Sequence, residues 1–399
     1  MSGHVALERS LWGLEADICF LNHGSFGATP LVVLQQQRRW QQELERQPVQ
    51  FFLNRHEGLM DEVRRRLGAF VGADPDDLAL VHNATTGVAT VLASMEIPAG
   101  AQLLATTHGY NACNNALRAA ATRASAEIRW VELPFAVADE DEYVARVLEA
   151  VTPSTVLALL DHVTSPTGLV LPLERLVPAL ESQGVRVLVD GAHAPGMIPL
   201  DLTRLGASYY TGNCHKWVMS PKGSAFLHVR RDRQSEIRPL VTSHGANSPR
   251  VDRSRFRLEF DWTGTEDPSA WLSVPAALDW VDEHGDGWPA HMAANRSLAL
   301  EALQLLCRAF CIPSPAPDSM IGALAAVPIP ADAGDQAPGE PAGRLQRRLW
   351  DRWRVEVPII PWGNQARLLR VSAQRYNAVE DYERLIHALT EEGFGQPPR

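Results

Sequence analysis

The sequence predicts an α/β fold: a three-layer α/β/α large domain around a mostly parallel seven-stranded sheet, with a small α+β C-terminal domain. Three observations carry this. Between about 76 and 231, short apolar runs alternate with amphipathic helical stretches, the pattern of strand–helix–strand units whose sheet is covered on both faces. The 399 residues are 45% hydrophobic and 21% charged, which suits a large packed core rather than disorder. The composition then shifts over 312–343 toward Pro, Ala, Gly and Asp before periodic segments resume, which marks a second unit.

Taken in order, residues 31–46 and 59–71 read as helices ahead of the sheet. Strands are expected at Leu78–His82, Gln102–Thr106, Ile128–Leu133, Val156–Asp161, Val185–Asp190, Ala207–Thr211 and Ser224–Val229. Helices fit between them near 86–95, 111–123, 140–151 and 172–183, and right-handed crossovers follow. Long helices at 268–284 and 289–309 lead away from the sheet, and Asp332–Gly343 reads as a loop. A helix near 343–353, strands at Val355–Ile360 and Arg367–Ser372, and a helix at 378–391 complete the chain. The expected division is 16–284 for the large domain, with 1–15 and 285–399 forming the small one.

Several function classes drop out. Lys+Arg is 37 against 47 Asp+Glu, a net charge of −10 with no basic tract, so a nucleic-acid partner is not expected. No apolar run approaches the ~18 residues of a membrane span. The opening residues lack a basic stretch followed by an apolar one, so no secretory signal is expected. Cysteines 19, 113, 214, 307 and 311 have neither zinc spacing nor a paired framework. They read as reduced thiols of a cytoplasmic protein with no metal site.

The basic residues are unevenly divided: 35 arginines and only two lysines, Lys216 and Lys222. A GC-rich genome accounts for the shortage, but not for both survivors lying within Gly212–Gly223. Arginine replaces lysine in most ion pairs but cannot lose its proton near neutral pH, so it cannot form a Schiff base. One of the two lysines is therefore a candidate covalent catalyst.

In a parallel sheet, ligands bind beyond the carboxyl ends of the strands. After the first strand, Asn83-Ala84-Thr85-Thr86-Gly87 opens a helix, and its free amides and hydroxyls suit an anion as well as an ordinary cap. After the second comes Thr107-His108-Gly109-Tyr110, with aromatics able to stack on a planar ligand or simply to pack. The turn His162-Val163-Thr164-Ser165-Pro166 offers further polar groups. Asp190 closes an apolar strand, where a carboxylate is costly unless paired or capping a turn, and His193 lies three residues on. One strand later comes Asn213-Cys214-His215-Lys216. A pyridinium cofactor needs a carboxylate at its ring nitrogen, a lysine at its aldehyde and an anion pocket for its phosphate.

On these motifs the chain resembles the fold-type I pyridoxal-phosphate enzymes of the class V aminotransferase family. The Val189-Asp190-Gly191-Ala192-His193 run with the His215-Lys216 pair carries the likeness. Within the family it is similar to the isopenicillin N epimerase-like branch, through Asn22-His23-Gly24-Ser25-Phe26-Gly27 and Thr107-His108-Gly109-Tyr110-Asn111-Ala112. The resemblance implies that Lys216 is the Schiff-base lysine, that Asp190 pairs with the pyridine nitrogen and that His193 sits by the cofactor phenolate. It implies that Thr85, Thr86, Asn213 and His215 hold the phosphate, helped by Thr265 of a neighbouring subunit, so a homodimer is expected. Tyr110 is the expected ring-stacking residue, with His108 its rival. Arg370 would clamp a substrate carboxylate, and Asn22 and His23 would line the substrate side.

The implied activity is epimerisation or racemisation at the α-carbon, followed by β-elimination from a sulfur-containing amino acid and, behind both, transamination. Cysteine desulfuration ranks lower, because the loop Asp332–Gly343 holds no cysteine. A cofactor-binding regulator without activity is disfavoured by the intact Lys216, Asp190 and Arg370. A nucleotide-binding enzyme is disfavoured by the absence of Gly-rich phosphate loops.

Overall fold

The computed structural model describes residues 7–330, 343–363 and 366–394. Its strands run β1 (Cys19–Phe20), β2 (Leu78–Val81), β3 (Gln102–Thr106), β4 (Glu127–Val131), β5 (Thr155–Asp161) and β6 (Arg186–Asp190). They continue β7 (Tyr209–Asn213), β8 (Ala225–Val229), β9 (Leu324–Pro330), β10 (Val355–Glu356), β11 (Ile359–Trp362) and β12 (Ala366–Ser372). Seven form the central sheet, in the order β2-β8-β7-β6-β5-β3-β4. β8 runs antiparallel to both its neighbours, and the other neighbouring pairs are parallel.

The seven expected strands are all present, and the side-chain period of two explains the layers. Along β5, Leu157 and Leu159 enter one apolar cluster while Ala158 and Leu160 enter another on the opposite face. Leu188 on β6 joins the first cluster, and Val187 and Val189 join the second. Each face is sealed by helices. Ala84–Ser94 and Asn111–Ala124 cover the first, and Leu173–Glu181 lies on the second.

The C-terminal part holds a three-stranded antiparallel sheet, β11-β12-β9, packed on the helix Gly287–Phe310. β9 lies inside the segment whose composition signalled only a boundary. Its Pro328 and Pro330 disguise it, yet β9 is an edge strand, where a missing N–H is tolerated. The single strand expected over 355–360 is two: β10 pairs with β1 across 336 residues of sequence, and β11 pairs with β12. The long helix expected at 268–284 breaks at Ser273, ahead of Pro275, into Ser269–Leu272 and Val274–Glu283. The short helix Arg255–Phe260 was not expected. The Asp332–Gly343 loop lies outside the described residues as far as Ala342.

For the site, the decisive feature is register. β5 and β6 align Asp161 with Asp190, and β6 and β7 align Asp190 with Thr211. The carboxyl ends of β2, β3, β5, β6 and β7 therefore converge on one edge, and β12 approaches that edge through Arg370.

Candidate active site

Lys216 follows β7 in a turn held from several sides. His23 is buried and bonds the Lys216 carbonyl through Nε2 at 3.0 Å, while its Nδ1 meets the Tyr376 hydroxyl at 2.8 Å. Gly27 has φ of 72°, and a Cβ there would sit 2.3 Å from the His215 carbonyl oxygen and 3.1 Å from Lys216 Cα. The segment 22–27 is thus the floor under the lysine, and only glycine allows it to lie so close.

The lysine amine is placed by a two-step relay. Lys216 Nζ lies 3.1 Å from His193 Nε2, and Trp217 Nε1–H donates to His193 Nδ1 at 3.3 Å. An indole N–H can only donate, so Nδ1 must be the accepting nitrogen. Burial, then Lys216 and Arg370, hold the His193 pKa well below its usual value, so the ring is neutral and its one proton is on Nε2. That proton points at Nζ, which can accept it only as a free amine. The Lys216 pKa agrees: burial, then the Arg370 charge, lower it to about 8.

Asp190 closes β6 with 3% exposure. One carboxylate oxygen accepts the Ala192 N–H at 3.0 Å, and the other accepts the Cys113 thiol at 3.0 Å. No Lys or Arg is paired with it among the described residues. A buried carboxylate in that state is prepared for a cationic ligand. Asp161 stands beside it on β5, also buried, and takes the backbone N–H of Tyr110. Burial, then the Asp190 charge, push its pKa well up. Neither Cys113 nor Asp161 was singled out from the sequence. Asp161 ends a strand as Asp190 does, a signal that was available, whereas the Cys113 contact spans 77 residues and left none.

At the far end the helix Ala84–Ser94 begins beside β7. Asn213 Oδ1 accepts the Ala84 N–H at 2.8 Å, and Asn83 Oδ1 accepts the Thr86 N–H at 2.8 Å and the Thr86 hydroxyl at 3.1 Å. The Thr85 amide and hydroxyl have no bond among the described groups, and they suit an anion. His215 donates from Nδ1 to the Ser224 carbonyl at 3.0 Å, and burial lowers its pKa to about 4, so its Nε2 carries no proton. It could bond an anion only after gaining one. Thr265 is exposed, next to Glu266, which pairs with His82 at the end of β2 at 2.9 Å.

Arg370 enters from β12. Nη1 donates to the Ser165 carbonyl at 2.5 Å, Nη2 donates to Ser25 Oγ at 3.1 Å, and the buried Nε has no partner. Ser25 in turn donates to Asn22 at 2.6 Å, and Asn22 donates to Glu356 at 3.0 Å. Asn22 thus orients Arg370 through Ser25. No carboxylate faces the guanidinium among the described residues, and burial lowers its pKa to about 10. An anion is the missing partner. The two aromatic candidates separate. His108 is wholly buried, with Nδ1 on the Thr167 hydroxyl at 2.9 Å and Nε2 on the Leu133 carbonyl at 3.0 Å. Tyr110 is 45% exposed and lines, with Arg370, Ser25 and Ser165, a cleft of about 810 Å³.

A free lysine amine, an unpaired carboxylate, an anion-ready helix start and an unpaired guanidinium therefore face one edge. That donor set fits pyridoxal phosphate together with an amino acid. A model of the family described as aminotransferase class-V matches residues 29–312. An isopenicillin N epimerase of Streptomyces clavuligerus is 33% identical over 392 residues, covering 94% of this chain and 95% of that protein. An L-cysteine desulfhydrase of Arabidopsis thaliana is 29% identical over 412 residues, covering 94% of this chain and 88% of that protein. The solved complex of the cystine C-S lyase C-DES with cysteine persulfide superposes with a TM-score of 0.80 at 23% identity, over 96% of this chain and 99% of that one. At that identity the likeness speaks to the fold.

Proposed function

The chain belongs to the class-V aminotransferase family, and from that premise we propose that it is a pyridoxal-phosphate enzyme working at the α-carbon of an amino acid, as an epimerase or racemase. The observation that carries this reading is the buried Lys216 amine, its pKa lowered by burial to about 8 and its Nζ met by His193 Nε2, whose orientation Trp217 fixes. When bound, the cofactor supplies an aldehyde that condenses with an amine and a ring that accepts the electron pair left at Cα. The chain's own residues do the rest. Asp190 holds a proton on the ring nitrogen. Thr85, Thr86 and Asn213 would hold the phosphate, joined by His215 once it gains a proton and by a second protomer's Thr265, so the working unit would be a homodimer. Tyr110, with Ser165, would hold the ring. Arg370 takes the substrate carboxylate, and Lys216 moves the α-proton.

Epimerisation needs a second proton donor on the face opposite Lys216. His23 and His108 have both ring nitrogens engaged, which leaves Tyr110 or a water in the cleft as the donor. Elimination from a sulfur-containing substrate is the second reading. It needs Lys216 as base and no donor on the opposite face, and the relatives include both an epimerase and a desulfhydrase. Incubating the protein with single amino acids in D2O and following them by NMR separates the two. Cα exchange with inversion supports the epimerase, while pyruvate and ammonia support the lyase. Lys216→Ala abolishes either; turnover near wild type in that variant would refute the assignment.

A further inference from the structure

The cleft outside Arg370 has more to say about the substrate than the family does. Its walls include Leu133, Pro166, Pro358, Ile360, Pro361 and Trp362. Trp362 is a fixed platform. It packs edge-on against the His108 ring, with centroids 4.7 Å apart at 85°, and His108 is itself clamped by Thr167 and Leu133. A rigid aromatic wall of this kind binds without an ordering cost. The lining carries two charged residues, Arg370 and Glu132. Arg370 is the group that meets an α-carboxylate, which leaves no cation among the described lining residues for a second carboxylate. Glu132 would repel one. A CH2SH group would also leave the apolar wall of Pro358, Ile360, Pro361 and Trp362 largely unmatched.

We propose that this cleft selects amino acids with a bulky, uncharged, largely apolar side chain, aromatic or long aliphatic, and that Trp362 is the residue that reads it. The inference rests on the amino-acid reading above and names its substrate class. It sets the preferred substrate apart from free cysteine and from acidic amino acids.

The test uses holoenzyme reconstituted with pyridoxal phosphate, in two measurements. Titration with L-phenylalanine, S-benzyl-L-cysteine, L-cysteine and L-glutamate, read from cofactor absorbance, gives affinities without turnover. Cα exchange in D2O gives kcat/KM for each. The aromatic pair is expected to exceed the other two by about tenfold or more in both, the usual scale of discrimination by an apolar pocket. Trp362→Ala is expected to weaken the aromatic pair by about tenfold while L-alanine and the cofactor spectrum stay within about threefold of wild type. L-glutamate or L-cysteine matching the aromatic pair overturns the inference and leaves the cofactor reading standing. So does holoenzyme that responds to none of the four, or an equal loss for every substrate in Trp362→Ala. Failure of pyridoxal phosphate to bind at all would instead remove the reading on which the inference depends.

Discussion

Trp217 reaches the chemistry through one imidazole. Its N–H fixes the accepting nitrogen of His193, which fixes where the His193 proton points, which favours Lys216 as a free amine. Burial lowers the lysine pKa to about 8, so the amine is mostly protonated below that pH and mostly free above it. Apoprotein is therefore expected to condense with pyridoxal phosphate about tenfold faster per pH unit up to that point and to level off beyond it. In Trp217→Phe the plateau moves to higher pH, because His193 can then turn its accepting nitrogen toward an ammonium. Stopped-flow absorbance reads both, and a flat profile or an unmoved plateau contradicts the relay. Asp161 gives a second prediction. Its raised pKa means that the folded state holds a proton the unfolded chain has released, so stability falls as pH rises above the ordinary aspartate range. The slope is at most about 1.4 kcal/mol per pH unit for one proton. Asp161→Asn keeps the shape and removes that proton, so its melting curves between roughly pH 5 and 8 are expected to flatten relative to wild type. Parallel pH profiles would show that the pair with Asp190 does not govern it. Lys216 and Asp190 were legible from residue type and position at strand ends. Trp217 and Cys113 were not, because their roles depend on the direction of a single hydrogen bond or on a contact between separate elements, while Asp161 shared the strand-end signal of Asp190 and only strand register shows the two side by side.

At the scale of elements, register and close approach decide the site. The sheet strands were readable because each is a short apolar run bounded by turn residues, and their order placed every candidate on one edge. β9 was hidden because its two prolines argue against a strand unless one already knows it lies at an edge. β1 was hidden because two residues carry no period and only its pairing with β10 makes it a strand, and β10 was read as one strand with β11. The segment 22–27, legible as a motif, owes its shape to Gly27. Gly27→Ala is expected to push the Lys216 turn away from the edge, since the new Cβ would meet backbone on both His215 and Lys216. Gly100→Ala is the control: φ there is 74°, with nothing within 4 Å of a new Cβ, so it carries only the left-handed cost of about 1–2 kcal/mol. Gly27→Ala should then lose cofactor affinity by more than about tenfold while Gly100→Ala keeps it. Equal affinity in the two variants would mean that the floor does not set the lysine.

Over the whole molecule, the chain leaves several apolar side chains in water. Phe26 is 75% exposed, beside the floor of the lysine site, and Leu53 is 76% exposed, with Val32 and Val49 also open to solvent. Scattered exposed residues need no explanation, but these fall on the segments 26–32 and 49–53, ahead of the sheet. Thr265 is exposed next to Glu266, which is held by His82. A homodimer resolves both features if each protomer covers its partner's apolar segments and lends Thr265 to the partner's phosphate end. Sedimentation should then show a dimer, and a fully active monomer would contradict it. Subunit mixing asks the finer question. Thr265→Ala should weaken cofactor binding by about tenfold or more, the loss of one hydrogen bond to a charged group. In a heterodimer with Lys216→Ala, the only working lysine lies in the Thr265→Ala protomer, and its phosphate would be served by the intact Thr265 of the other chain. Affinity at that one site should return to the wild-type value. If it stays weak, Thr265 acts within its own chain or not at all, and the dimer, should it exist, is not completing the site.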